Sequence, residues 1–176
     1  GSTRTGTSIA ARAGERLTLF DPMCGRGTTL FEALNRGWNA VGSDIDAGDV
    51  HQGYAFFKRY LEYNRLKHEA KDFSMTVGRD SVRRRQIAFA LTREGLREGA
   101  QTISFIAGDL VRAASAHKPG SFHLIAADLP YGVQHSPGEN KSLEAVLKAA
   151  LPALFRSLKR GGAIALRWQL PLGFSF

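Results

Sequence analysis

The chain has 176 residues, enough for one domain with a hydrophobic core, and its composition of 43% hydrophobic and 23% charged residues is normal for a globular protein. Its single cysteine excludes an internal disulfide, and no apolar run approaches the ~20 residues of a membrane helix, so we expect a cytoplasmic protein without a membrane partner. The net charge of +8 favours a polyanionic partner such as nucleic acid, although a merely basic surface would have the same charge.

The first motif is a strand, a glycine turn and a helix. Leu17–Phe20 is a short apolar run, typical of a buried parallel strand. Gly25 and Gly27 lack a Cβ, so the backbone there can adopt positive φ and approach a ligand closely. Thr28 is suited to cap the following helix. The pattern predicts a binding crevice beyond the carboxyl ends of the strands.

Asp21 indicates which kind of ligand this crevice takes. A phosphate-binding P-loop would have a lysine after the glycines, and a dinucleotide fingerprint would have a third glycine where Leu30 stands. A carboxylate at the strand end repels phosphate and suits a cationic ligand. An ordinary glycine-rich turn is the alternative interpretation.

A second strand, Asn39–Asp46, ends in two acids. Asp44 lies 19 residues after Gly25, the spacing at which an acid binds ribose hydroxyls in nucleotide-binding βαβ units. Asp46 is the substitute for that role, and it is equally suited to cap the next helix.

A basic insert follows at about residues 51–99, with a net charge of +5. We expect a long helix over Gly53–Asp72 and a second helix beginning near Asp80. Aromatic side chains lie between the charges, as in surfaces that bind RNA through phosphate contacts and base stacking, although a solvated helical face would look the same. The expected substrate contacts are Lys58, Arg65, Lys67, Arg83, Arg84 and Arg85.

Thr102–Leu110 is the expected third strand, and it ends in Gly108-Asp109. An acid there could accept a hydrogen bond from an adenine amino group, or it could be a simple turn residue.

The expected fourth strand is Phe122–Gly132, and it contains Asp128-Leu129-Pro130-Tyr131. A simple turn after a buried strand is the alternative interpretation of these four residues. The Asp128 carboxylate and the Leu129 carbonyl are suited to accept hydrogen bonds from an exocyclic amine. Pro130 restricts the backbone, and Tyr131 can stack on a flipped base.

His135 lies on the next loop and is either a substrate contact or a solvated side chain. The histidines are scattered and the cysteine is alone, so the sequence predicts no metal site.

A helix over Ser142–Leu158 and a fifth strand over Ala163–Trp168 complete the pattern. Only eight residues follow, too few for a further helix and an antiparallel strand pair. We therefore expect one domain over residues 1–176 with the C-terminal strand pair missing or trimmed.

The run Asp-Pro-Met-Cys-Gly-Arg-Gly-Thr, from Asp21, resembles the first motif of class I S-adenosylmethionine-dependent methyltransferases. Asp-Leu-Pro-Tyr, from Asp128, resembles the Asp-Pro-Pro-Tyr motif of amino-group methyltransferases, with Leu129 in place of the first proline. The resemblance implies a Rossmann-like α/β fold: a mostly parallel sheet, helices on both faces and a helical insert between the second and third strands. It implies S-adenosylmethionine as cofactor, bound by Asp21, Pro22, Cys24, Gly25, Gly27, Thr28, Asp44, Ile45, Asp46, Gly108, Asp109 and Leu110.

The Asp-Leu-Pro-Tyr-Gly motif is more similar to guanine-N2 RNA methyltransferases than to DNA adenine methyltransferases. The basic insert is similar to that of the orthosomycin (avilamycin-type) resistance methyltransferases of 23S ribosomal RNA. The resemblance therefore implies methylation of guanine N2 in RNA, with ribosomal RNA favoured because no THUMP-type domain is visible. DNA adenine-N6 or protein-amide methylation, or a non-catalytic RNA-binding module, are the alternatives. The sequence leaves the oligomeric state open.

Overall fold

A computed structural model of the chain describes residues 14–129 and 143–167. Within these residues the strands are β1 (Thr18–Asp21), β2 (Asn39–Asp44), β3 (Lys67–Val77), β4 (Asp80–Ala90), β5 (Gln101–Ala107), β6 (Phe122–Asp128) and β7 (Leu158–Arg167). They form one sheet in the order β3-β4-β5-β2-β1-β6-β7. The five strands from β5 to β7 in this order run parallel, whereas β3 and β4 are antiparallel.

Helices cover both faces of the sheet, and all of them except the short helix Arg93–Glu98 bury an apolar stripe against it. The helices are α1 (Thr28–Asn35), α2 (Ala47–Tyr63), α3 (Arg93–Glu98), α4 (Leu110–Ser115) and α5 (Leu143–Ser157). Helices α1 and α2 share one hydrophobic core with the sheet, and α4 and α5 share the other. The expected Rossmann-like fold, with a mostly parallel sheet and helices on both faces, is confirmed.

The insert differs from its prediction. The long helix ends at Tyr63, and its expected apolar stripe of Tyr54, Phe57 and Leu61 is indeed buried. The expected continuation to Asp72 and the expected second helix are wrong, because β3 and β4 form a hairpin there. The insert is thus a helix followed by a β-hairpin, and the hairpin extends the sheet at one edge.

The hairpin reaches past the carboxyl end of β5. The last residue pair between the two strands is Arg84 opposite Ile106, so the four residues from Asp80 to Arg83 extend beyond that point. Val82 is buried beside Gly108, and the Asp80 carboxylate lies 3.3 Å from a guanidinium nitrogen of Arg112 on α4. The hairpin tip therefore packs beside the carboxyl ends of the parallel strands.

None of the helices in the described residues combines the length and the apolar character of a membrane span. The positions after Arg167, where we expect the strand pair to be missing or trimmed, lie outside the described residues.

Gly53 lets α2 pack directly on the backbone of the glycine turn. A Cβ at Gly53 would overlap the carbonyl oxygen of Arg26 and would lie 3.0 Å from the ring of Phe105. The backbone oxygen cannot move without shifting the turn, so only glycine fits at this point of the helix.

Replacing Gly53 with alanine tests this packing. Alanine normally favours a helix over glycine by about 1 kcal/mol, but here the overlap should reverse the sign and cost about 1–3 kcal/mol of unfolding free energy. Urea denaturation measures the change, with the exposed neighbour Gln52→Ala as the control that should stay within about 0.5 kcal/mol. A Gly53→Ala protein that is more stable than the parent would contradict the close packing.

Candidate active site

Acidic residues from three parallel strands converge at the carboxyl edge of the sheet. Asp21 is the last residue of β1, Asp44 the last of β2 and Asp128 the last of β6. The ends of parallel strands form the crevice in which open α/β sheets bind ligands. The structure thus brings together the three acids that the sequence places in separate motifs.

The glycine turn between β1 and α1 has the expected backbone conformation. Gly25 has φ of 51° and Gly27 has φ of 96°, in the left-handed region that favours glycine. Gly27 is the N-cap of α1 and makes no side-chain cap hydrogen bond. Thr28 is the first residue of the helix, so its expected capping role is wrong. Its predicted contact with the cofactor stays a prediction.

Asp44 connects three loops. One oxygen of its carboxylate accepts a hydrogen bond from Gly25 N–H (2.8 Å) and the other from Asp46 N–H (2.9 Å), while its carbonyl oxygen accepts from Gly108 N–H (2.9 Å). Each carboxylate oxygen has a further lone pair, so ribose hydroxyls can still be accepted.

Two of the predicted cofactor residues are helix caps. The Asp46 carboxylate accepts hydrogen bonds from Gly48 N–H and Asp49 N–H at the start of α2. The Asp109 carboxylate accepts one from Arg112 N–H at the start of α4. Capping fixes both side chains beside the crevice, and their roles toward a cofactor stay predictions.

Ile45 extends into solvent between Asp44 and Asp46, with 73% of its surface exposed. A large apolar side chain at this edge can cover one face of a flat ring.

Asp21 is almost fully buried. The pKa of its carboxyl group is raised to about 6. Burial is the largest cause, hydrogen bonds from Met23 N–H and the Thr29 side chain lower the pKa, and the carboxylates of Asp44 and Asp128 raise it. Among the ion pairs of the described residues, none reaches Asp21. The arrangement fits a cationic group of a ligand near this carboxylate.

The segment between Asp21 and Gly25 is held by the buried Ser43, which the sequence analysis missed. The Ser43 hydroxyl donates to Pro22 O at 3.1 Å, and Cys24 N–H donates to the Ser43 carbonyl at 2.9 Å. Burial raises the pKa of the Cys24 thiol far above its usual range, so the thiol is protonated and inert.

Asp128 and Leu129 are the two described residues of the predicted catalytic motif. The Leu129 side chain is buried and its N–H donates to the Arg167 carbonyl at 2.9 Å. Arg167 ends β7 directly opposite Asp128, and its guanidinium lies 3.7 Å from the Asp128 carboxylate. Sequence reasoning missed Arg167, because the strand register that pairs it with Asp128 is not a local signal.

Pro130, Tyr131 and His135 lie outside the described residues. Among the described residues no cluster of three or more histidine, cysteine, aspartate or glutamate side chains is arranged to hold a metal ion.

The basic residues that we predicted to contact RNA differ in exposure and in their partners. Arg83 is exposed and pairs with Asp72, whereas the Arg84 guanidinium donates to the Ser104 hydroxyl and the Arg85 guanidinium lies 3.7 Å from the centre of the Tyr54 ring. Burial lowers the pKa of Arg84. The remaining three predicted contacts, Lys58, Arg65 and Lys67, are all exposed.

Residues 9–169 match the model of the UPF0020 family, described as an RMKL-like methyltransferase domain. The chain belongs to this family. The chain accordingly contains a methyltransferase domain, and the strand-end acids and glycine turn lie within the matched region. No curated protein sequence is significantly similar to the chain.

Three solved structures are similar to this methyltransferase. The PH0226 protein from Pyrococcus horikoshii OT3 has 16% identity and a TM-score of 0.47, over 86% of this chain and 49% of that one. A geranyl diphosphate methyltransferase in complex with GPP and sinefungin has 15% identity and a TM-score of 0.46, over 85% and 37%. TehB from Haemophilus influenzae has 14% identity and a TM-score of 0.45, over 97% and 45%. The chain thus spans half or less of each of these proteins.

The raised pKa of Asp21 predicts a pH dependence of stability. The folded pKa of about 6 lies above the ordinary value of 3.8, so the folded state binds more protons than the unfolded state between these values. The contribution of Asp21 to the free energy of unfolding should therefore fall by about 3 kcal/mol as pH rises from about 4 to 6. The buried His117, whose pKa burial lowers to about 4, contributes a slope of opposite sign over the same range.

Asp21→Asn removes this titration, so the free energy of unfolding of the variant minus that of the parent should rise by about 3 kcal/mol between pH 4 and 6. Urea denaturation at pH 4, 5, 6 and 7 measures this difference. The exposed Asp80→Asn is the control that should keep the slope of the parent protein. An Asp21→Asn protein with an unchanged slope would show that the carboxyl group is not desolvated.

Proposed function

We propose that this methyltransferase modifies an exocyclic amino group of a nucleic-acid base, namely guanine N2 in RNA, with ribosomal RNA as the favoured substrate. The observation that carries the proposal is the position of Asp128-Leu129 at the same sheet edge as Asp21 and Asp44. This position supports the proposal, because Asp128 and Leu129 would offer acceptors to the substrate amine beside the crevice that suits the cofactor. The single cysteine is compatible with a reducing cytoplasm as the place of action.

The residues at the edge fit S-adenosylmethionine. Asp21 offers a buried carboxylate to a cationic group, and Asp44 retains lone pairs for ribose hydroxyls. Ile45 and Asp109 follow the neighbouring strands β2 and β5, and an adenine ring bound beyond these strand ends would lie beside both residues. The cofactor supplies an activated methyl group on a sulfonium.

Asp128 orients the amine of the base. The lone pair of such a nitrogen is delocalised into the ring, so it is a weak nucleophile. In our proposal the Asp128 carboxylate and the Leu129 carbonyl accept its two N–H groups and turn the lone pair towards the methyl group. The carboxylate also stabilises the positive charge that develops on nitrogen, and the nitrogen loses a proton during or after transfer. As the sequence motif implies, Pro130 would restrict the backbone beside the base and Tyr131 would stack on the base.

The hairpin and α2 would hold the RNA backbone. Arg83 is the member of the arginine triplet whose side chain is mostly exposed, and the hairpin projects past the sheet edge near the crevice. Lys58, Arg65 and Lys67 are further exposed cations, and His135 is a further proposed contact. Arg84 and Arg85 would then act through packing rather than through phosphate contacts.

Transfer of a labelled methyl group tests the substrate directly. Ribosomal subunits, naked ribosomal RNA, tRNA and duplex DNA are compared in parallel, and the methylated nucleoside is identified by mass spectrometry. N2-methylguanosine in ribosomal RNA is the expected product. N6-methyladenine in DNA would replace the proposal with its DNA alternative, and RNA binding without transfer to any substrate would favour the non-catalytic module.

Asp128→Asn should lower the transfer rate by about 10²–10³, since the neutral amide keeps the shape but not the charge. The affinity for S-adenosylmethionine, measured by calorimetry, should stay unchanged because Asp21 and Asp44 bind it. Asp49→Asn, which alters an acid paired with Arg26 on the same side of the crevice, is the control and should keep the parent rate. Wild-type transfer by Asp128→Asn would remove Asp128 from the mechanism.

Arg83→Ala should weaken RNA binding and lower the slope of log affinity against log salt concentration by about one unit. Arg85→Ala should leave the slope unchanged and should instead lower stability, because it loses its contact with Tyr54. Fluorescence anisotropy at several salt concentrations measures the slope, and thermal melting measures stability. An unchanged slope in Arg83→Ala would make the hairpin a structural surface.

A further inference from the structure

Arg167 and Asp128 are neighbours by construction of the sheet. They are the last residues of β7 and β6 and lie opposite one another in the parallel register. The hydrogen bond from Leu129 N–H to the Arg167 carbonyl, at 2.9 Å, fixes the two strand ends against each other just beyond this pair. The guanidinium of Arg167 therefore lies beside Asp128, which in the proposed mechanism binds the substrate amine.

The pair is loose and accessible. The nearest guanidinium nitrogen lies 3.7 Å from Asp128 Oδ2, beyond ordinary hydrogen-bond distance, and the two side chains are 71% and 67% exposed. An arginine has five N–H donors in a planar fork, so most of them remain available to a ligand. Among the described ion pairs, this is the one that reaches any of the three converging acids Asp21, Asp44 and Asp128.

An acceptor and a donor thus stand side by side at the sheet edge. The edge of an amino-bearing base has the complementary pattern, because its amino group lies next to a ring nitrogen that accepts hydrogen bonds. In guanine this neighbour of N2 is N3, and in adenine the neighbours of N6 are N1 and N7. A carboxylate and a guanidinium can therefore bind both members of such an edge at once.

We propose that Arg167 is a specificity-determining residue that donates a hydrogen bond to the ring nitrogen next to the reacting amino group, while Asp128 accepts from that amino group. The inference rests on the proposed function, in which the amine is guanine N2, so that the ring atom is N3. An alkyl amine offers no acceptor at this position and would leave the guanidinium unpaired, which disfavours it as a substrate.

Atom replacement in the substrate tests the contact. Once the methylated guanosine is located, two RNAs are synthesised that carry guanosine or 3-deazaguanosine at that position. The second has a C–H group in place of N3 and keeps the amino group. The wild type should methylate the 3-deaza RNA about 10- to 100-fold more slowly, the loss expected for one hydrogen bond to a charged group.

Arg167→Met removes the donors and retains an unbranched side chain. It should lower the rate on the guanosine RNA by a similar factor and should show no further loss on the 3-deaza RNA. Arg167→Lys keeps a cation with fewer donors, and its rate on the guanosine RNA should lie between those of the wild type and Arg167→Met. Arg160→Met is the matched control, because Arg160 is exposed on the same strand at its opposite end, and it should behave as the wild type.

A merely structural role of Arg167 would give a different result. If Arg167→Met lowers both rates but keeps the full difference between the two RNAs, Arg167 only supports Asp128 and the proposal is overturned. If it keeps the difference and instead lowers the salt slope of RNA binding by about one unit, Arg167 contacts a phosphate, and the proposal is again overturned. Thermal melting and calorimetry with S-adenosylhomocysteine confirm that each variant is folded.

Failure of the proposed function is separable from failure of this inference. Mass spectrometry that places the methyl group on adenine N6 would overturn the guanine assignment alone, and the same design with 1-deaza- and 7-deazaadenosine would then test Arg167. A wild type that methylates no amino-bearing base would overturn both.

Discussion

The geometry of the carboxyl edge of the sheet depends on the hydrogen bonds that the Asp44 carboxylate accepts. This carboxylate accepts hydrogen bonds from the glycine turn after β1 and from the start of α2, and the carbonyl of the same residue holds the loop after β5. These three segments are distant from one another in sequence, and Asp44 contacts all of them. One residue at the end of β2 therefore sets the positions of the Gly25 turn, the Asp46 cap and the Gly108-Asp109 segment together.

The same edge concentrates negative charge at a cost in stability. Burial raises the pKa of Asp21 to about 6, and the neighbouring Asp44 and Asp128 add to the shift. A neutral residue at Asp21 would avoid this penalty near neutral pH, so packing alone does not explain an acid there. A ligand with a positive charge would explain it, because such a ligand would pair with the carboxylate. The charge of this edge is consistent with the sulfonium cofactor that we propose for this methyltransferase domain.

Much of the fold could be predicted because its signals are local. The apolar runs of β1, β2, β5 and β6, the glycines of the first turn and the buried stripe of α2 each lie within a few consecutive residues, and all are confirmed. The hairpin could not be predicted in this way. As the edge strand, β3 is exposed along nearly all of its length, so the alternation that marks a strand is absent and its charges resemble a helical surface.

The site could be predicted only in part, for a related reason. Asp21, Asp44 and Asp128 each end a recognisable strand, and parallel strands bring their ends together, so their convergence follows from the sequence. Arg167 joins them only through the register between β6 and β7, which no local pattern encodes. The buried Ser43 behaves in the same way, since its importance lies in hydrogen bonds to a segment twenty residues away.

Strand geometry also determines the directions in which the side chains of Arg83, Arg84 and Arg85 extend. On a helix three consecutive arginines would spread around the surface, whereas on β4 they alternate between the two faces of the sheet. Arg85 turns towards Tyr54 on α2, Arg84 towards Ser104, and Arg83 extends from the exposed part of the hairpin.

Four strand spacings separate β4 from β6, about 19 Å at roughly 4.8 Å each. A single nucleotide bound at Asp128 could not reach Arg83 across that distance. Our proposal has the substrate contact both residues, and a substrate that does so must be a strand of several nucleotides or a folded RNA stem.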